Sequence, residues 1–173
     1  MTAEIALAHI IGTVMLVLVF ISAALFYQQY YSSLKMEALS RQLRGAANYV
    51  ASNMADLISL CFINLRDQFI VKTLDLPEKI GEEHYSITII KSFDPNNNEE
   101  AILVRAYLNS NPHIYGEAIL PFAMINVWNG TESINLNNIV QPRLVVSSST
   151  PNSVIWALAR NGSITIGLGV KIA

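Results

Sequence analysis

The sequence predicts an α+β fold, with one long N-terminal helix followed by an antiparallel β-sandwich-like domain. Three observations predict it. Residues 5–27, IALAHIIGTVMLVLVFISAALFY, form an apolar run without Asp, Glu, Lys or Arg. No proline interrupts the chain before Pro77. From Gln68 onward, short runs rich in β-branched and aromatic residues alternate with Asn, Pro, Gly and Ser, the punctuation of strands and turns. The expected division is a helix over 1–62, with 5–27 spanning a membrane and 28–62 amphipathic, and a β-rich head over 66–173.

The first part of the helix follows from length and solvent. At 1.5 Å rise per residue, residues 5–27 cover the roughly 30 Å hydrocarbon core of a bilayer with some tilt. A cleavable signal peptide has a basic start and an apolar core of roughly 7–15 residues. Here no Lys or Arg precedes the run, and the run is longer. Ser22-Ala23-Ala24 offers small residues for cleavage, but Phe26, Tyr27, Tyr30 and Tyr31 follow, as aromatic residues do at a membrane interface. An uncleaved anchor surrounded by membrane lipid is therefore expected. His9 is the one ionisable residue in the run. Such a residue is a functional candidate within a span, although a neutral imidazole near the membrane edge can simply bond a carbonyl or water.

Residues 28–60 continue in good helix formers: Leu, Ala, Gln, Met, Arg and Glu. Met36, Leu39, Leu43, Ala46, Val50, Leu57 and Leu60 recur with a heptad-like step, interrupted by Asn53, while Lys35, Glu37, Arg41, Arg44, Asn48 and Asp56 take the other face. That stripe must be buried, either on the chain's own β domain or against another copy or partner, and one long helix can do both. Glu37 and Arg41 form an i,i+4 pair in the favourable order. Gly45 costs about 1 kcal/mol relative to Ala in a helix, so a bend or a close backbone approach is expected there.

The strands are expected at Phe69–Leu74, Tyr85–Phe93, Ile102–Leu108, Ala118–Phe122, Ile125–Trp128, Leu144–Ser148, Val154–Arg160 and Ser163–Ile172. The clearest is the last hairpin, where Asn161-Gly162 supplies the preferred pair for a type I′ turn. Ser163-Ile164-Thr165-Ile166 then alternates polar and apolar, as a half-buried strand does.

Charged residues make up only 14% of the 173, and the net charge is −2. That leaves no electrostatic footprint for nucleic acid. Cys61 is the only cysteine, so no intrachain disulfide staples the fold; within Leu60-Cys61-Phe62-Ile63 it reads as a small buried hydrophobe. Two signals for sidedness oppose one another. Lys35, Arg41 and Arg44 follow the span, which places the head inside, but that rule weakens for long following domains. Asn129-Gly130-Thr131 and Asn161-Gly162-Ser163 are sequons in expected turns, which marks Asn129 and Asn161 as N-glycosylation candidates on an exterior surface. An exterior head is therefore expected, because the charge rule loses force as the following domain lengthens.

No active site is expected, and no cofactor or metal. His84 and His113 lack metal-ligand spacing. Asp94, Asn96 and Asn98 match the opening ligands of a calcium loop, but Glu99 stands where such a loop needs Gly and Arg105 where it needs its closing Glu. Asp94-Pro95-Asn96-Asn97-Asn98 is instead expected to be a polar hairpin tip. There is no Gly-rich phosphate loop and no nucleophile elbow.

A hydrophobic helix running unbroken into an amphipathic half and then a β-rich head resembles archaeal type IV pilin-like membrane proteins. Glu4 resembles the acidic residue near the start of a mature pilin helix. Ala51-Ser52-Asn53-Met54-Ala55-Asp56-Leu57 resembles a stretch of the helix in that group, and Leu76-Pro77-Glu78-Lys79-Ile80-Gly81 with Tyr85-Ser86-Ile87-Thr88-Ile89 resembles its approach to the first strand. The resemblance implies a structural protein of the cell surface, a subunit or minor component of a type IV pilus-like filament or its base. It implies self-association or partnership with other pilin-like membrane proteins through an assembly helix carrying Glu4, Ile5, His9, Gly12, Met36, Leu39, Leu43, Val50 and Leu57. In that setting the Glu4 carboxylate pairs with a neighbouring subunit's amine; the simpler reading is an ordinary acid in the first helical turn, since helix starts favour acids regardless of assembly. The chain departs from the family's processing pattern, because no Lys or Arg precedes Glu4. An unprocessed anchor with a β domain resembles archaellum stator-type accessory proteins, whose β-sandwich is a binding module held against the surface layer without polymerising. Their membrane-proximal helix is usually shorter, which favours the pilin-like expectation.

Overall fold

The computed structural model of the chain describes residues 2–63, 67–94, 99–122, 125–131, 134, 136 and 138–172, apart from the side chains of 2–8, 93, 94 and 99. Helix α1 covers Thr2–Ile63. The strands that follow are β1 (Gln68–Thr73), β2 (Tyr85–Asp94), β3 (Glu99–Leu108), β4 (Tyr115–Leu120), β5 (Asn126–Val127), β6 (Val140–Arg143), β7 (Val145–Ser147), β8 (Ser153–Arg160) and β9 (Ser163–Lys171). The architecture is therefore α+β, with the helix first. The chain forms two compact units, Met1–Ala38 and Leu39–Ala173, so the second unit holds the last part of α1 together with the strands.

The strands make two sheets. One runs β1-β8-β9-β5 with β6 also on β9, and the other runs β4-β3-β2-β7. Among the described residues all pairings are antiparallel except β5 with β9, where Asn126 faces Thr165 and Val127 faces Ile166 in parallel register. That parallel pair departs from the all-antiparallel expectation. The long stretch of chain between β5 and β9, including β6–β8, permits it, because a parallel pair cannot be closed by a hairpin.

The Asn161-Gly162 hairpin forms as its residues dictate. Asn161 has φ 51 and Gly162 φ 76, the two left-handed residues of a type I′ turn, and Arg160 pairs with Ser163 across it. Strand β6 has no counterpart among the expected strands. It contains Pro142, which has no N–H to give to a ladder and is confined to edges; here Pro142 stands opposite Gly169 on a strand that, among the described residues, pairs on one side only. Of the polar tip expected at Asp94–Asn98, Asp94 ends β2 in register with Glu99, and residues 95–98 lie outside the described residues.

One apolar cluster joins the last part of the helix to both sheets. It contains Leu43, Ala47, Val50, Met54, Leu57 and Ile58 from α1, Ile87, Val104 and Leu120 from one sheet, and Ile155, Ile166 and Leu168 from the other. Burying an aliphatic side chain of this kind contributes about 1.5–3 kcal/mol. The stripe is not quite the expected seam. Met36 and Leu60 are exposed, and Ala47, Met54, Ile58 and Cys61 are buried in addition. A straight helix with 3.6 residues per turn drifts by about 20° per heptad against a 3.5 repeat, so toward its end Ile58 and Cys61 turn inward and Leu60 outward. Asn53, the polar interruption, is buried and donates from Nδ2 to the Tyr49 carbonyl at 2.7 Å. Gly45 has nothing within 4 Å of where a Cβ would stand, so the close approach expected there is absent.

Tyr85, at the start of β2, is fully buried, and its hydroxyl meets no hydrogen-bond partner among the described residues. Burial disfavours the phenolate and pushes the phenol from its ordinary value of 10 up to about 12. The unfolded chain then releases this proton more readily than the folded one. The neutral phenol's contribution is fully present below pH 10 and is lost as pH rises toward about 12. A buried, unpartnered hydroxyl costs roughly 1–3 kcal/mol. Tyr85→Phe is therefore expected to be at least as stable as the parent at neutral pH and to lose less stability between neutral pH and about pH 11, by urea unfolding. A variant clearly less stable at neutral pH contradicts the absence of a partner.

Candidate functional site

The first unit presents an apolar surface. Within α1 the stretch beginning at His9 is long and apolar enough to cross a membrane, and none of its most apolar window is buried. Val14, Leu16, Val17, Leu18 and Phe20 are all exposed, as are Phe26, Tyr27, Tyr30 and Tyr31. The polar groups in this stretch are satisfied locally. Thr13 Oγ1 donates to the His9 carbonyl and Ser22 Oγ to the Leu18 carbonyl, each at 2.8 Å. Back-bonding to the preceding turn lets hydroxyls sit in a medium without water.

The residues expected on the assembly helix divide by position. Glu4 and Ile5 are helical, and their side chains lie outside the description. His9, Gly12 and Met36 are exposed, and Gly12 has open space around it. Leu39 packs against the core of the second unit, while Leu43, Val50 and Leu57 lie within that core. These last three face this chain's own domain. The surface of α1 open to another molecule in the second unit is a different one: Gly45 and Tyr49, with Leu76 and Pro77, border a mainly apolar groove of about 440 Å³. The Tyr49 hydroxyl accepts from the Asp75 amide there at 3.4 Å.

Both sequons stand in exposed turns, but in different settings. Asn129 Oδ1 accepts from the Thr131 amide at 3.1 Å and from Thr131 Oγ1 at 2.6 Å, an Asx turn within the sequon itself. Asn161 sits in the tight hairpin, its amide donating to Asp67 Oδ1 at 3.1 Å, and the sequon hydroxyl Ser163 Oγ accepts from Asn126 Nδ2 at 2.9 Å. Asn129 also borders a cleft of about 310 Å³ with Lys91, Asn126, Trp128 and Thr165. Sequence reasoning missed this cleft, because Lys91 on β2 and Thr165 on β9 are remote in the chain. The one local signal was a tryptophan immediately before the sequon asparagine.

Chemical machinery is sparse. Among the described residues no group of three or more His, Cys, Asp or Glu side chains could hold a metal ion. His84 Nδ1 lies 3.1 Å from the Glu78 carbonyl, and the His113 amide donates to Asn111 Oδ1 at 3.2 Å. Cys61 is buried in the second unit, and burial pushes its thiol up, away from the thiolate that nucleophilic chemistry requires. Arg105 and Glu117 pair across β3 and β4 at 2.5 Å, with the guanidinium 4.8 Å from the Tyr115 ring centre. Both charged side chains are partly exposed, so the pair contributes modestly. Comparison with protein-family models, with curated proteins and with solved structures finds no match for this chain.

Proposed function

We propose that this protein is a membrane-anchored structural protein of the cell surface, a pilin-like subunit or minor component of a type IV pilus-like filament or its base. The observation that carries the proposal is the division of labour along α1. The apolar stretch from His9 through Tyr31 keeps its large side chains exposed, whereas the stretch from Leu43 to Cys61 supplies the core of the β domain. A soluble protein has little reason to expose so large an apolar surface. Lipid, or the helices of other copies, covers such a surface naturally. In this reading the two sheets form a sandwich-like head outside the cell, supported by the approach of β2 and β7 to β9 and by two sequons in exposed turns. No catalytic step is assigned to it, and its partners are other copies or similar membrane proteins.

The test is to shear cells that make the protein, label the released material with antibody against the β domain, and image it by negative-stain microscopy. Labelled filaments are the expected result. Label confined to cell envelopes, with none on released fibres, overturns the filament assignment and leaves a membrane-anchored β module that binds the surface layer or a partner protein without polymerising.

A further inference from the structure

We propose that Asn129, and not Asn161, carries an N-linked glycan whose first sugar occupies the cleft bordered by Lys91, Asn126, Trp128 and Thr165. The inference rests on the exterior head of the preceding section, and three features of the fold support it.

The first is the local geometry of the two sequons. Asn129 lies after β5, beyond the last backbone bond that holds this segment to its sheet, from the Trp128 amide to the Ile166 carbonyl at 2.9 Å. Its Oδ1 accepts twice from Thr131, which leaves Nδ2, the nitrogen that bears a glycan, without a partner among the described residues. Asn161 is the opposite case. It occupies the first left-handed position of a two-residue turn, and the Arg160–Ser163 pair closes that turn. Its sequon hydroxyl is engaged by Asn126. Entry of Asn161-Gly162-Ser163 into a transferase site requires opening the β8–β9 hairpin; entry of Asn129-Gly130-Thr131 does not.

The second feature is the cleft. Trp128 is half-buried, and its ring meets the Trp156 ring edge-on at 6.3 Å with 63° between planes. Trp156 is fixed in turn, buried and donating from Nε1 to the Leu168 carbonyl at 2.9 Å. The cleft therefore has a rigid aromatic wall. Aromatic faces carry partial negative charge and suit the C–H face of a pyranose. Lys91, Asn126 and Thr165 supply donors and acceptors around it, the mixture of apolar surface and a few polar groups that small ligand sites use. The third feature is continuity, since Asn129 itself borders the cleft and a sugar on its side chain starts at the mouth.

The chemistry is ordinary group transfer. Asn129 Nδ2 forms a bond to the anomeric carbon of a lipid-linked sugar phosphate. That carbon's bond to the phosphate oxygen breaks, the phosphate leaves on its lipid carrier, and the amide proton passes to a carboxylate of the cell's transferase.

The experiment uses the full-length chain isolated from its own membranes. Trypsin separates the two sites into peptides 106–143 and 161–171. Peptide mass spectrometry is expected to find added sugar mass on the first and none on the second. Thr131→Ala removes that mass, and Asn161→Gln leaves it. Deglycosylation is expected to shift tryptophan emission in the parent chain and not in Trp128→Phe. A bare 106–143 peptide, equal modification of both peptides, or emission unchanged by deglycosylation overturns the proposal. Sidedness is read separately, by labelling Lys79 and Lys171 on intact cells with a membrane-impermeant amine reagent. Labelled lysines with a bare Asn129 overturn the glycan site alone; lysines that stay unlabelled overturn the exterior head and the glycan site with it.

Discussion

Gly116→Ala is expected to destabilise the β domain by about 3 kcal/mol or more, while Gly45→Ala stabilises it by up to about 1 kcal/mol. The two glycines differ in what stands beside them in the fold. A Cβ built on Gly116 lies 2.5 Å from Arg44 Cα and 2.6 Å from the Leu43 carbonyl carbon, and closer still to the Arg44 nitrogen. All are backbone atoms of α1, which cannot rotate away as a side chain can. Leu43 is fully buried, so any shift of this turn disturbs a close-packed core. Ser40 Oγ adds to the constraint by donating to the Tyr115 carbonyl at 2.7 Å, which fixes the helix against β4 one residue away. At Gly45, by contrast, an added methyl meets nothing within 4 Å, and alanine lowers the backbone entropy lost on folding. Urea unfolding of the full chain in detergent, followed by tryptophan fluorescence, measures both. A Gly116→Ala chain within about 1 kcal/mol of the parent would show that helix and strand do not meet backbone to backbone at this point.

These two glycines also mark where the sequence stops being informative. A glycine's neighbours in the chain do not say whether another backbone crosses over it. Gly45 interrupts an otherwise good helix, where a glycine is conspicuous; Gly116, in Tyr115-Gly116-Glu117, lies just outside the expected strand at Ala118–Phe122. Features fixed by local chemistry were legible. The absence of proline before Pro77 gave one helix through Ile63, and Asn161-Gly162 gave the hairpin with its register. Features fixed by remote pairing were not. A proline disfavours a strand, yet the edge position of Val140–Arg143 tolerates Pro142. The parallel contact of β5 with β9 spans only Asn126 and Val127, too short to leave a periodic pattern. The candidate site follows the same rule. The sequons were visible as tripeptides, while the cleft beside Asn129 depends on Lys91 and Thr165 arriving from different sheets. The amphipathic stripe falls between the two cases, because its existence was legible and its drift around the helix had to be seen.

Leu16→Arg combined with Phe20→Arg is expected to release the chain from the membrane and leave the β domain folded, whereas Leu43→Arg does the reverse. Leu16 and Phe20 are one helical turn apart on α1 and expose 58% and 68% of their surface. Both lie near the middle of the apolar stretch. An arginine at the centre of a spanning helix costs roughly 2.5–3.5 kcal/mol on insertion scales. Two on one face come to about 6 kcal/mol, or four orders of magnitude in partition, if they act independently. Neither side chain belongs to the apolar cluster of the second unit, so near-ultraviolet circular dichroism and tryptophan emission should keep their native signals. Leu43 is 0% exposed within that cluster. An arginine there buries an unpaired charge, which no rearrangement of a close-packed core accommodates cheaply. Resistance to carbonate extraction reports the anchor and the spectra report the head, so each variant gives two independent readouts. If the double arginine variant stays in the membrane, lipid is not what covers the exposed stretch of α1, and helix–helix contacts with other copies must hold it there. If it leaves the membrane unfolded, the two parts of α1 do not act separately, and the anchor is needed for the head to fold.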